Sequence, residues 1–256
     1  MKLAQRAPGP GRTLLLIACL GFARMTSADD LEAGRQAIYT GEYARALGLL
    51  QPLAERGDPG AQVALGAMHA QGLGVPLDLE AAREWFLKSA RQGNEKARSN
   101  LLYMADQFLY PEGAERRCRD ALAIITELAT LGYQRAYTAA GNLLYQGCDE
   151  VPSDPAAGVS WWREAAAFGD PVAQTNLAVA YASGTGIDKD YRLALEWYRK
   201  AADQGHAPGQ YGLGVMYEYG DGVEPDLVEA RRWYELAAAQ GDPRARERLQ
   251  QLGSDP

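Results

Sequence analysis

The chain has 256 residues, 23% of them charged, and its 26 Lys and Arg against 33 Asp and Glu give a formal net charge of −7. Binding a nucleic-acid backbone needs a basic face that displaces counterions, so this balance excludes that class of partner. With two histidines and three cysteines, no metal site and no small-molecule cofactor is expected.

Residues 1–28 have the pattern of a secretory leader, and 29–256 would be the mature part. Lys2, Arg6 and Arg12 precede an apolar run, Leu14 to Ala23, too short to span a bilayer, and Thr26, Ser27 and Ala28 are small residues suited to cleavage. Removing the leader takes away four basic and no acidic residues, leaving 22 basic against 33 acidic, a net of −11. Leu16-Ile17-Ala18-Cys19 resembles the lipobox of bacterial lipoproteins, but the apolar run continues through Phe22 and Ala23 as an ordinary leader does. A periplasmic or secreted protein is therefore expected. The alternative is an outer-membrane lipoprotein carried on Cys19, which would be its route to membrane contact.

The remainder is repetitive. Six helical hairpins are expected at about 30–57, 61–93, 97–132, 136–169, 173–205 and 209–241, followed by a capping helix at 245–252 whose Arg244, Arg246, Glu247 and Arg248 face solvent. In the opening hairpin Ala37, Ala46, Leu50 and Ala54 are the apolar positions, and its inter-helix loop is short. Unit 61–93 is the first full copy. Unit 97–132 departs most: Leu102 stands where glycine does elsewhere, residues 108–113 replace a Gly-x-Gly turn, and Ile125 replaces a tryptophan. The pattern is plainest in 173–205. There Leu177 and Tyr181, with Ala173, Ala178 and Ala180, make one thin apolar stripe; Asp190 caps a second helix striped by Ala194, Trp197, Ala201 and Ala202; Gly205 ends it. Trp161, Trp197 and Trp233 recur at 36 residues, and Gly-Asp-Pro recurs at 57–59, 169–171 and 241–243, where glycine stops one helix, aspartate caps the next and proline takes its first position. In the doublets Trp85-Phe86, Trp161-Trp162, Trp197-Tyr198 and Trp233-Tyr234, one ring is expected inside its hairpin and the other against the following unit.

Cys118 and Cys148 fall in or beside loops of neighbouring units, which stacking brings side by side, so a disulfide is expected in an oxidising compartment. Catalytic machinery is missing. His69 occupies a slot held by Tyr181 and Tyr217, and His206 a turn slot held by Asp58, Asp170 and Asp242. Gly158-Val159-Ser160-Trp161-Trp162 lacks the last glycine of a nucleophile elbow, and the paired glycines at 72–74, 184–186 and 220–222 follow no strand, so neither an esterase nor a nucleotide site is indicated. No enzyme is expected.

Leu65-Gly66, His69, Gly72-Leu73-Gly74-Val75, Asp78, Ala82, Trp85, Ala90 and Gly93, and in register Leu213-Gly214, Tyr217, Gly220-Asp221-Gly222-Val223, Asp226, Ala230, Trp233, Ala238 and Gly241, resemble the Sel1-like repeat, a relative of the tetratricopeptide repeat. That resemblance implies an all-α, right-handed α-solenoid whose first helices line a concave face. It places Tyr103, Gln107, Arg135, Asn142, Tyr145, Thr175, Tyr211, Glu218 and Tyr219 there as candidate contacts for a protein or peptide partner. It further implies an envelope scaffold or adaptor; a cell-wall or β-lactam ligand binder or hydrolase, and a periplasmic regulator of a membrane sensor, are the alternatives. Members linked to β-lactams carry a cysteine pair in each repeat, which this chain does not.

Overall fold

The structure, a computed structural model, describes residues 27–110, 116–148 and 150–254. Most of the expected leader, Cys19 included, lies outside the described residues. The described residues form thirteen helices: the pairs α1 (Ser27–Tyr39) and α2 (Tyr43–Glu55), α3 (Pro59–Gln71) and α4 (Leu79–Ala90), α5 (Glu95–Leu109) and α6 (Cys118–Thr130), α7 (Gln134–Gln146) and α8 (Pro155–Ala167), α9 (Pro171–Ser183) and α10 (Tyr191–Asp203), α11 (Ala207–Tyr219) and α12 (Leu227–Ala239), then α13 (Pro243–Ser254) alone. Each helix packs against its neighbours in sequence, and the first helices α9 and α11 also touch. The result is an all-α solenoid.

Helix starts follow from capping chemistry. Asp58, Asn94 and Asp170 accept backbone N–H bonds at the starts of α3, α5 and α9, and Asp78, Asp154, Asp190 and Asp226 do so for α4, α8, α10 and α12. The second helix α6 has no such cap. Arg117 precedes it, and its first residue, the buried Cys118, is joined by a disulfide to Cys148 in the α7–α8 loop, with Cα atoms 6.4 Å apart. A covalent link thus holds this helix start, which, like those of α2, α7 and α11, has no capping side chain.

The core is a row of clusters, each shared between successive units and the largest spanning three. Phe86, Trp162, Tyr198 and Tyr234 are the buried members of the aromatic doublets, and each lies in a cluster shared with the following unit. Trp85, Trp161 and Trp233 are half-buried and join clusters of the preceding unit, against the forward direction expected for the second ring of each pair. The first helix approaches the inner ring closely. A Cβ on Gly66 would lie 2.6 Å from the Phe86 ring, and one on Gly214 would lie 2.7 Å from Tyr234, so glycine is required at both. In α6 the register places Ile124, not Ile125, at the tryptophan position, because Ile124 is the seventh residue of its helix as Trp233 is of α12. Ile125 takes the inner slot; both are buried, and the largest cluster centres on this unit.

A second link between units is polar. The buried Gln62 donates to the Ala54 carbonyl of the previous unit at 3.1 Å and accepts from Gln92, in the turn after its own second helix, at 2.8 Å. Gln174 and Gln204, then Gln210 and Gln240, repeat the arrangement with Ala166 and Ala202 as acceptors. In the unit of α7 and α8 the same positions hold Tyr137 and Phe168, stacked at 5.7 Å, and in α5–α6 Arg98 donates to the Leu131 carbonyl instead.

The last helix also differs from expectation. Arg248 turns inward rather than to solvent, because the carboxylate of Glu218, nearly buried on α11, requires a cation; Arg248 pairs with it and also donates to Tyr219.

Candidate binding face on the first helices

Charge is unevenly placed in four of the six hairpins, the exceptions being those that begin with α1 and α5. The first helix α9 has no charged residue, α3 has only His69, α7 only Arg135 and α11 only Glu218, whereas the second helix α10 carries Arg192, Glu196, Arg199, Lys200 and Asp203. This asymmetry was readable in the amino-acid sequence, but it gains meaning only once the first helices are seen to lie side by side.

The nine expected contact residues divide by environment. Tyr103, Gln107, Arg135 and Tyr219 are exposed, Tyr103 at 67%. Tyr145 is half-buried, its ring 4.6 Å from Trp162, and Tyr211 is half-buried between Tyr234 at 5.6 Å and the Arg244 guanidinium at 4.4 Å. Thr175 and Glu218 are not solvated positions. Thr175 is buried, bonded to the Pro171 carbonyl and to His206 Nδ1 at 2.9 Å, while Glu218 is held by Arg248 and accepts from the Tyr234 hydroxyl at 2.7 Å. Asn142, half-buried, accepts from Trp162 Nε1 at 3.0 Å and from Asn176 Nδ2 at 2.9 Å. The first-helix column is thus partly a seam between units. Thr138, Thr175 and Tyr211 share one register position, and Thr138 donates to Asp170 just as Thr175 meets His206.

Electrostatics follow this packing. Burial pushes the imidazole of His206 below its ordinary range, opposed by the Asp170 carboxylate. Burial pushes Tyr198 up to about 12, and Tyr234 higher still with Glu218 beside it. Arg244 holds Asp242, the cap of α13, below the usual carboxylate range.

Several grooves open on this face, two of them beside Tyr103. One of about 460 Å³ lies between α3 and α5, lined by Ala67, Ala70, Gln71, Phe86, Asn100, Tyr103 and Gln107 among others. The other, about 290 Å³, lies between α5 and α7 with Ser99, Leu102, Tyr103, Asp106 and Arg135. Tyr103 belongs to both. The amides, hydroxyl and apolar floor of the first can hold uncharged polar groups, whereas Asp106 and Arg135 put a carboxylate and a guanidinium in the second, and among the described residues no three His, Cys, Asp or Glu gather as metal ligands. No helix among them is long and apolar enough to cross a membrane.

These features define an α-solenoid of helical hairpins with grooves between its first helices. Residues 59–94, 134–170, 171–206 and 207–242 match the Sel1 repeat, and the chain belongs to that family. Residues of the α5–α6 hairpin are not among those matched, in line with its lost glycine and tryptophan. The chain is similar to a crystallised Sel1 repeat protein from Oxalobacter formigenes (29% identity, TM-score 0.73, 86% of this chain and 63% of that one). It is also similar to c5321, a protective antigen of uropathogenic Escherichia coli (30% identity, TM-score 0.63, 88% and 48%). The uncharacterized protein NMB1327 of Neisseria meningitidis serogroup B is 31% identical over 177 residues, 57% of this chain and 36% of that protein. The chain spans about a third of this curated relative and about half to two thirds of the two solved chains. Sel1 repeat proteins are generally non-enzymatic scaffolds for protein interactions.

Proposed function

We propose that this protein is an exported envelope scaffold that captures a protein partner on its first-helix face, without enzymatic activity of its own. The observation that carries this reading is the groove of about 460 Å³ between α3 and α5: its lining holds apolar side chains, the carboxamides of Gln71, Asn100 and Gln107 and the exposed Tyr103, and no charged residue. An interface depleted of charge and rich in tyrosine is what a partner-binding surface requires. Export is supported by the leader pattern of residues 1–28 and by a disulfide that persists only under oxidising conditions. That a similar structure is a protective antigen agrees with an envelope location.

The test is affinity capture from the envelope fraction, followed by mass spectrometry, with wild type and a Tyr103→Ala/Gln107→Ala variant. Both side chains are exposed, so the variant should melt as wild type does and lose the captured protein. Equal recovery by both would remove the first-helix face from the function.

A further inference from the structure

Trp162, Tyr198 and Tyr234 are the eighth residues of α8, α10 and α12, and all three rings are buried. Two of the three have their polar atom answered by the first helix of their own hairpin. Asn142, ninth in α7, accepts from the Trp162 indole, and Glu218, twelfth in α11, accepts from the Tyr234 hydroxyl. In α9 those two places hold Val179 and Ala182, whose side chains accept nothing. The hydroxyl of Tyr198, a residue only 9% exposed, is therefore left without a hydrogen bond among the described residues. A buried polar group in that position costs stability unless something answers it. Tyr198 is also placed toward the next unit: its ring lies against Gly212 of α11, where no Cβ would fit.

Tyr198 lines a groove of about 290 Å³ between α9 and α11, walled by Val179, Val215 and Met216, with Tyr211 and Arg244 near the N-terminal end of α11. The Arg244 guanidinium lies 4.4 Å from the centre of the Tyr211 ring and spends Nε and Nη2 on Asp242, which leaves Nη1 without a partner among the described residues. We propose that this groove binds a small organic carboxylate with an apolar body, its carboxylate taking the Tyr198 hydroxyl and Arg244 Nη1 and its body lying along Val179, Val215 and Met216. A guanidinium only donates, and burial pushes Tyr198 up to about 12, so it keeps the proton it offers; Arg244 and Tyr211 are the groups whose charges act on that hydroxyl. Donors converging on one place suit an anion, and a guanidinium suits a carboxylate in particular. Asp221 lies beyond the C-terminus of α11, about 12 Å or more along the axis from Tyr211, so it stands clear of the carboxylate and disfavours a second negative charge on the ligand. Inorganic phosphate has no apolar body to lay against the walls. The groove is at the small end of those that hold whole ligands. This site is additional to the proposed capture of a partner and does not depend on it, since neither Tyr103 nor Gln107 lines the groove.

The experiment titrates hexanoate and benzoate, with hexanamide and inorganic phosphate for comparison, into the purified full-length protein by isothermal calorimetry. At least one carboxylate should bind saturably, and about tenfold or more tightly than hexanamide or phosphate. Tyr198→Phe keeps the ring against Gly212 and removes only the unanswered hydroxyl. It should melt as wild type does or higher, and bind the carboxylate about tenfold more weakly, the loss of one hydrogen bond to a charged group. Arg244→Gln should lose the preference for the carboxylate over its amide, while Asp242 still caps α13 through the Arg244 and Ala245 backbone N–H groups. No saturable binding of either carboxylate, equal affinity for hexanamide, tighter binding of phosphate, or undiminished binding by Tyr198→Phe would each overturn the proposal.

Discussion

Gln174 shows how much a single side chain can do at a joint between units: buried, it spends its donor on the Ala166 carbonyl of the preceding unit and its acceptor on Gln204 of its own. Gln174→Ala removes both bonds, but the Ala166 carbonyl keeps the Gly169 N–H and the exposed Gln204 keeps the Lys200 carbonyl, so it should cost roughly 0.5–1.5 kcal/mol, read as a lower urea midpoint with an unchanged slope. Because Tyr137 and Phe168 occupy the equivalent positions one unit earlier, Gln174→Tyr combined with Gln204→Phe should destabilise by less than the sum of the two single changes, as a double-mutant cycle would show. His206 has a pH signature. Burial favours its neutral form in the folded chain, so the unfolded chain binds the proton more readily. Stability is full above the ordinary histidine value of about 6.5 and is lost as pH falls through the lower folded value. Urea midpoints across that window should decline for wild type and decline less for His206→Gln. A decline of equal size in both would place the titration elsewhere.

At the scale of the element, the hairpin α5–α6 replaces its familiar devices rather than losing them. The aromatic doublet becomes Ile124-Ile125, the glutamine pair becomes Arg98 on a carbonyl, and the aspartate cap becomes a disulfide at the first residue of the helix. Closing the 30-residue separation should stabilise by roughly 3–4 kcal/mol through the unfolded chain. Cys118→Ser/Cys148→Ser should therefore melt lower than oxidised wild type, and adding reductant should shift wild type only. Melting curves that coincide with and without reductant would show that α6 is held by packing alone.

For the molecule as a whole, cores shared between neighbours make stability a sum of local units and interfaces. The largest core cluster runs from Ala82 to Leu143 and contains the disulfide-tied hairpin, while among the described residues α1 and α13 have a neighbour on one side only. Backbone amide exchange should accordingly be slowest in α5 and α6 and fastest in α1 and α13, with α13 slowed where Arg248 is locked to Glu218. Uniform exchange along the chain would show an all-or-none fold in place of a graded one.

By itself the amino-acid sequence pointed to an all-α chain of helical hairpins, since these depend on local rules: glycine stops, aspartate caps, and apolar residues at helical spacing. Tertiary structure decided everything that depends on the angle between one unit and the next. Trp85 and Phe86 are adjacent in sequence, yet which faces back and which forward is set by the stacking direction. Thr175 and Glu218 have the polarity of contact residues, and only their neighbours His206 and Arg248, about 30 positions away, show them to be internal links. Asn142 and Asn176 share no motif. They were brought together because α7 and α9 lie on the same face and the buried indole of Trp162 dictates how the first amide must turn, and through it the second.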